Sequence, residues 1–436
     1  MKKKVFLIIK VYILTFLLVF ILLFFNTSFS RSLEALYTLM TTKQGLLFFH
    51  SIFIVVYLIF LISRYFIRLY KKKGIKIAFK YFLLRLILPV FIIVISIKLI
   101  IHNNTQEDFN FIWDHSVENT KEYSNNLYKT DGKHRGMSVY RLGRNNNSQI
   151  NNLLKTNIEW ISLFPYFYQK DEQSKTVNVP DEVGKWTDRD SIFMNDIKAL
   201  QDKGIHIMLK PHLWMSDGWR SNIKMNSKAE WDTWFESYKK NILHYARMAE
   251  ATNVELLCIG TELRSSVENQ PNQWRVLIKE IKKIYNGKLT YAANWDGEFN
   301  NIDFWDELDY IGVQAYFPLT LTKNPDLETI KKGWDKHIKV LEDISITYNT
   351  PVLFTEVGYR NDAYATVEPW VWGSIFTRLY TKKSDKTQQL AYQALFEKLW
   401  NKKWFAGTYA WQWSSGDFPI RSKPAQNTIA KWYGKE

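Results

Sequence analysis

The chain has 436 residues, a formal net charge of +15 and one cysteine, Cys258. This length exceeds a small single domain, and a lone cysteine excludes an intrachain disulfide. The charge invites a nucleic-acid reading, but its distribution excludes one. Residues 1–101 hold 15 Lys/Arg against the single acid Glu34, leaving 43 of the 58 bases and 42 of the 43 acids to the remaining 335 residues.

The N-terminal quarter reads as membrane. Three apolar runs, 5–25, 45–63 and 81–101, are each about as long as a helix that crosses the hydrocarbon core, so three transmembrane helices are expected. Met1-Lys2-Lys3-Lys4 precedes the first run as in a signal peptide. That run is nevertheless longer than the apolar part of a signal peptide, and no small-residue cleavage site follows it. Residues 64–80 hold seven Lys/Arg and no acid, and read as a cytoplasmic loop. Three crossings then place the N-terminus in the cytoplasm and everything after Ile101 outside, with the lipid bilayer as a partner.

Residues 102–135 are polar, rich in Asn, Lys and acids, and read as a stalk. From Gly136 a β/α rhythm begins. Strands are expected at 137–141, 158–164, 205–212, 254–260, 288–294, 310–316, 351–356 and 405–413, each followed by a helical stretch. Eight βα units in a domain of residues 136–436 argue for an α/β fold closed as a (β/α)8 TIM barrel. No glycine-rich phosphate loop follows the first strand and no Walker sequence occurs, which weakens an open nucleotide-binding sheet.

In such a barrel, chemistry sits at the C-terminal strand ends. Here those ends are polar and aromatic where the strand bodies are apolar. They carry Lys210, His212 and Trp214, then Glu262, Asn294 with Trp295, Tyr316, Glu356, and Trp411 with Trp413. Alternation puts Cys258, Gly260 and Glu262 on one face of the fourth strand, and Val352, Phe354 and Glu356 on one face of the seventh. If both faces look inward, two acids 94 residues apart meet across the mouth. Paired carboxylates are what glycosidic cleavage needs, one to protonate the leaving oxygen and one to attack or to activate water. The plainer reading of either acid alone is a helix cap or a pair with Arg264 or Arg360.

Lys210 and His212 suit sugar hydroxyls at the floor of a cleft. Trp214, Trp295, Trp370 and Trp372 suit stacking on sugar rings, and all 18 Trp lie after residue 101, although a Trp-rich core is the plainer account. Asp188-Arg189-Asp190 matches the D-x-D of metal-dependent sugar transferases, but it opens a helix, where Asp is expected as a cap. His206, His212, Asp217 and Glu255 lack metal-ligand spacing. Cys258 sits in mid-strand as a small buried residue, and no nucleophile elbow surrounds Ser265-Ser266.

The stretches VELLCIGTEL (254–263), LTYAANW (289–295), DYIGVQAYFPL (309–319), PVLFTEVGYR (351–360), EPWVW (368–372), QQLAYQALF (388–396) and GTYAWQW (407–413) carry a family resemblance. From about residue 135 to 433 the chain resembles the clan A glycoside hydrolases, and more closely family 113, the endo-β-1,4-mannanases. The resemblance implies a retaining double displacement with Glu262 as acid/base and Glu356 as nucleophile. It also implies a Tyr316 hydrogen bond to the nucleophile and Trp411 or Trp413 under the sugar beside the scissile bond. The implied substrate is a β-linked polysaccharide or oligosaccharide, mannan-type first, with no cofactor or metal. A transglycosylase remodelling an envelope glycan uses the same acids, and a barrel that only binds glycan keeps the cleft without turnover. Thr261 departs from the clan pattern, standing where most members carry an Asn that holds the sugar 2-hydroxyl.

Overall fold

The computed structural model describes residues 2–26, 36–37, 39–41, 43–106, 109–143, 146–178, 185–414 and 416–435. They form two compact units, Met1–Ile100 and Ile101–Glu436.

The first unit is helical. Among the described residues, two helices are long and apolar enough to cross a membrane, Gly45–Lys73 and Ile75–Thr105. This corrects the expectation of three spans. The first run lies in the helix Lys2–Asn26, but its apolar stretch Val5–Ile21 is shorter than the roughly 20 residues a crossing needs. An orientation that counts three crossings loses its footing with it. The basic segment 64–80 is not a loop either. Lys and Arg are good helix formers, and only Gly74, at φ 78°, interrupts the helix there. Leu83–Ile87 widens to a π turn just before Pro89, which has no N–H to give to the Arg85 carbonyl. Tyr12 packs edge-on against Phe49 and Phe53 at 5.2 and 5.0 Å, tying the helix Lys2–Asn26 to the helix Lys43–Lys73.

The second unit is a barrel. Its strands are β1 (His134–Ser138), β2 (Trp160–Leu163), β3 (Tyr166–Gln169), β4 (His206–Leu209), β5 (His212–Met215), β6 (Leu256–Thr261), β7 (Lys288–Asn294), β8 (Tyr310–Gln314), β9 (Val352–Val357) and β10 (Phe405–Ala410). Eight of them close in the order β1-β10-β9-β8-β7-β6-β4-β2, and every neighbouring pair is parallel. The expected strand 158–164 is shortened to β2, and the expected strand 205–212 is cut at Pro211. Pro165 and Pro211 lack the N–H a central ladder needs, so β2 and β4 stop before them. The chain resumes as β3 and β5, which pair with each other as a parallel ribbon above the mouth. That ribbon carries Tyr166, His212 and Trp214.

The barrel interior is filled by Trp160, Met208, Leu256, Cys258, Ala292, Tyr310, Leu353, Ala406 and Tyr409. A much larger apolar layer lies between strands and helices. The first strand starts earlier than the apolar pattern shows, because it opens on His134 and Arg135, both fully buried. The Arg135 guanidinium is satisfied by both Asp131 oxygens at 2.8 and 3.0 Å and by the Tyr433 and Lys435 carbonyls. Residues 109–131, within the segment that reads as a stalk, lie against the N-terminal end of the barrel. The Leu127 and Tyr128 amides donate to Glu159, and the Tyr128 hydroxyl meets that of Tyr310 at 3.2 Å.

Candidate active site

Glu262 and Glu356 face one cleft of about 1020 Å³ at the C-terminal mouth of the barrel. They do not arrive there by simple alternation. Phe354 stacks on Trp334 of the helix Leu327–Tyr348, so it and Val352 look outward, while Leu353 looks inward. The β8–β9 register then shifts and brings Glu356 opposite Gln314, turning the carboxylate into the mouth. On β6 a Cβ at Gly260 would lie 2.7 Å from the Tyr291 ring and 2.9 Å from that of Trp274, on the helix side of the strand. The register shifts there too, between Cys258 and Thr261. Glu262 follows in the left-handed region at φ 52°, a conformation that costs a non-glycine residue about 1–3 kcal/mol. Irregular strands of this kind re-aim a side chain, which the expected face-sharing does not anticipate.

The two carboxylates have different surroundings. Glu356 forms an ion pair with Lys210, which is fully buried at the end of β4, and accepts a hydrogen bond from the Tyr316 hydroxyl at 2.9 Å. Burial pushes the Tyr316 hydroxyl well above its ordinary value, and Glu356 adds to the effect, so Tyr316 is a firm donor. Glu262 is paired with Arg220 and accepts from the Asn294 side-chain amide at 2.9 Å. Burial pushes its carboxyl above the ordinary carboxylate range, Arg220 pulls it back, and Glu356 pushes it further up. His212 lines the same cleft, and burial, with Arg220 and Lys210 nearby, pushes its imidazole well below its ordinary value.

Aromatic rings line the cleft. Trp295 and Trp370 stack at 4.9 Å, and Trp372 packs edge-on to Trp411. Trp214, 52% exposed, stands edge-on to Tyr166 in the same cleft. Of the residues singled out from sequence, Glu262, Glu356, His212, Trp214, Asn294, Trp295, Tyr316, Trp370, Trp372 and Trp411 line the cleft. Lys210 does not line it but lies beneath, reaching it through Glu356. Trp413 is not at the surface of the cleft at all. It is 1% exposed and belongs to the apolar layer between strands and helices, because the chain has turned away from the mouth by then.

Arg220 and Trp219 escape a reading by strand ends, because they sit on the loop after β5. The guanidinium lies over the Trp219 ring at 4.4 Å. Glu172 holds the loop, accepting from the Trp219 amide at 2.9 Å and from the Asn222 side chain at 3.1 Å. Gly218, at φ 80°, leaves the room that the Glu172 side chain fills. The D-x-D candidate takes a structural place, since Asp190 accepts from the Thr187 amide and hydroxyl at 2.8 and 2.7 Å as a helix capping box.

A closed parallel barrel with two buried acids and aromatic shelves at its C-terminal mouth has the architecture of a barrel glycoside hydrolase. Residues 137–435 match the model of Glycoside Hydrolase Family 113, and the chain belongs to that family. Among solved structures, a GH113 β-1,4-mannanase in complex form is similar at 24% identity and TM-score 0.60, over 70% of this chain and 99% of its own. The GH113 β-mannanase AaManA from Alicyclobacillus acidocaldarius, in complex with ManMIm, is similar at 23% identity and TM-score 0.59, over 69% of this chain and 97% of its own. A further GH113 β-1,4-mannanase structure is similar at 25% identity and TM-score 0.58, over 70% and 97% of the two chains. No curated protein matches the chain in sequence.

Proposed function

We propose that the protein is a retaining glycoside hydrolase acting on a β-linked glycan, β-1,4-mannan-type first. Glu356 attacks the anomeric carbon while Glu262 protonates the leaving oxygen. The glycosyl-enzyme is then hydrolysed by a water that Glu262 activates as base. The observation that carries this reading is the contrast between two acids in one cleft. Each acid has a cation and a hydrogen-bond donor, but burial still pushes the Glu262 carboxyl up against the pull of Arg220, whereas Glu356 faces a fully buried ammonium and a tyrosine hydroxyl, surroundings that favour an anion. Trp214, and Trp295 stacked with Trp370, serve as platforms for sugar rings beside the reacting bond. His212 and Asn294 serve sugar hydroxyls.

The test is a panel of mannan, glucan and xylan oligosaccharides with the purified chain and its Glu262→Ala and Glu356→Ala variants. Cleavage of the mannan series with retention at the anomeric centre, lost in both variants, is the expected result. Near-native turnover in either variant sinks the assignment, and longer products at high sugar concentration reassign the reaction to transglycosylation. The two long apolar helices support anchoring of the chain in a bilayer. Recovery of the full chain in the carbonate-washed membrane fraction is expected, and its release by carbonate argues against anchoring.

A further inference from the structure

Beneath the cleft lies a third carboxyl that the double displacement does not use. Glu298, in the turn after β7, is fully buried, and burial pushes its carboxyl up to about 8. A carboxyl is costly to bury, so its partners matter. One oxygen accepts from the Tyr291 hydroxyl at 2.6 Å and the other from the Asn294 backbone N–H at 2.7 Å.

Both partners lead to Glu262. The Tyr291 hydroxyl accepts the N–H of Leu263, the next residue in the chain, at 2.6 Å. The Asn294 side chain donates to Glu262 Oε1 at 2.9 Å. With the Glu298 carboxyl ionised, donor and acceptor directions agree: Leu263 N–H gives to Tyr291, Tyr291 O–H gives to Glu298, and Asn294 N–H gives to Glu298. Glu262 sits between these two branches with its backbone at φ 52°, a conformation that local preference does not hold. Gly260 belongs to the same arrangement, because any side chain there would collide with the Tyr291 ring at 2.7 Å.

We propose that Glu298 is a positioning residue that clamps the acid/base Glu262, through Tyr291 and Leu263 on its backbone and through Asn294 on its carboxyl. This rests on the reading of Glu262 as the acid/base. Glu298 touches no substrate. It holds the turn of backbone and the amide that aim Glu262 at the leaving oxygen. Misplacing a catalytic group by about 1 Å costs on the order of 100-fold in rate.

The experiment compares full-length wild type, Glu298→Gln and Tyr291→Phe on two substrates. One is the oligosaccharide the enzyme cleaves, and the other is the 2,4-dinitrophenyl glycoside of the same sugar, whose leaving group departs without a proton. Gln keeps the size of Glu but turns its NH2 towards one of two donors, breaking one branch. The expected result for Glu298→Gln is a fall in kcat/KM of about 100-fold on the oligosaccharide, with the dinitrophenyl glycoside within about 3-fold of wild type. Tyr291→Phe cuts the backbone branch alone and shows the same split at about 10-fold, which keeps the test open should Glu298→Gln fail to fold. Equal losses on both substrates, or no loss on either, overturn the positioning role. Wild type inactive on both substrates overturns instead the reading of Glu262, and this inference with it.

Discussion

Lys210→Met is the substitution in which structure and proposed chemistry meet most sharply. The Lys210 side chain is fully buried and its Glu356 partner only 5% exposed, so both charges are largely out of water. Met keeps the apolar stem among the Phe164 and Trp411 rings, which lie 6.0 and 5.7 Å from the ammonium, and removes only the charge. Stripping one member from a buried pair costs about 3–5 kcal/mol, because the other is left uncompensated. Tyr316 still donates to the second Glu356 oxygen at 2.9 Å, which places the expectation at the lower end, about 3 kcal/mol. That is a large share of the 5–15 kcal/mol typical of a folded domain. An unpaired buried carboxylate relieves its cost by taking up a proton, so nucleophilic activity falls with stability. Urea unfolding measures the loss, and a cycle with Glu356→Gln identifies its cause. With no carboxylate left to strand, the double variant regains roughly 2 kcal/mol over Lys210→Met alone. A single variant within about 1 kcal/mol of wild type, or a double variant no more stable than the single, refutes the reasoning.

The Glu262 carboxyl is raised in the folded state from its ordinary value of 4.5, chiefly by burial. The folded protein therefore holds more protons than the unfolded chain above that value, and stability falls as pH rises through the raised folded value. Glu262→Gln makes the fall in urea midpoints from pH 4 to 9 shallower, Glu298 with its carboxyl pushed up to about 8 keeping its own share, and an unchanged slope contradicts the assignment. Trp370→Ala and Trp214→Ala raise KM by about 10-fold with kcat little changed if the rings are binding platforms, whereas Trp413→Ala loses about 3–5 kcal/mol of stability as a core residue. Initial-rate kinetics and melting separate the two classes. Gly260→Ala forces a Cβ to within 2.7 Å of the Tyr291 ring and 2.9 Å of the Trp274 ring, so it costs about 1–3 kcal/mol by overpacking. Wild-type stability of this variant contradicts the packing described around β6.

The closed barrel was legible because eight apolar strand bodies ended on polar and aromatic residues at regular intervals, and alternation with helices leaves few ways to connect them. Strand details were less legible where backbone chemistry overrides pattern. Pro211 cuts an expected strand in two, β3 after Pro165 was not expected, and β1 opens on His134, which meets the Tyr409 hydroxyl, and on Arg135, whose charge distant carbonyls and Asp131 satisfy. The acids were visible as carboxylates at strand ends, yet the expected faces were wrong. Val352 and Phe354 look outward, and shifts of register deliver Glu356 and Glu262 to the mouth. A period-two pattern carries no trace of such a shift. Arg220 and Glu298 were invisible because each reaches Glu262 from a loop, one directly and one through two hydrogen-bonded partners. In the N-terminal unit, apolar length is readable, but a run of basic residues suggests a loop where the backbone stays helical on both sides of Gly74.

The most direct measurement of the central claim is covalent trapping. Incubation with a 2-deoxy-2-fluoro glycosyl fluoride of the sugar cleaved, followed by intact mass and peptide analysis, reports the nucleophile itself. One equivalent of label on Glu356, with turnover lost in proportion, is the predicted result. An active enzyme that takes up no label, or carries it on any other residue, contradicts the account.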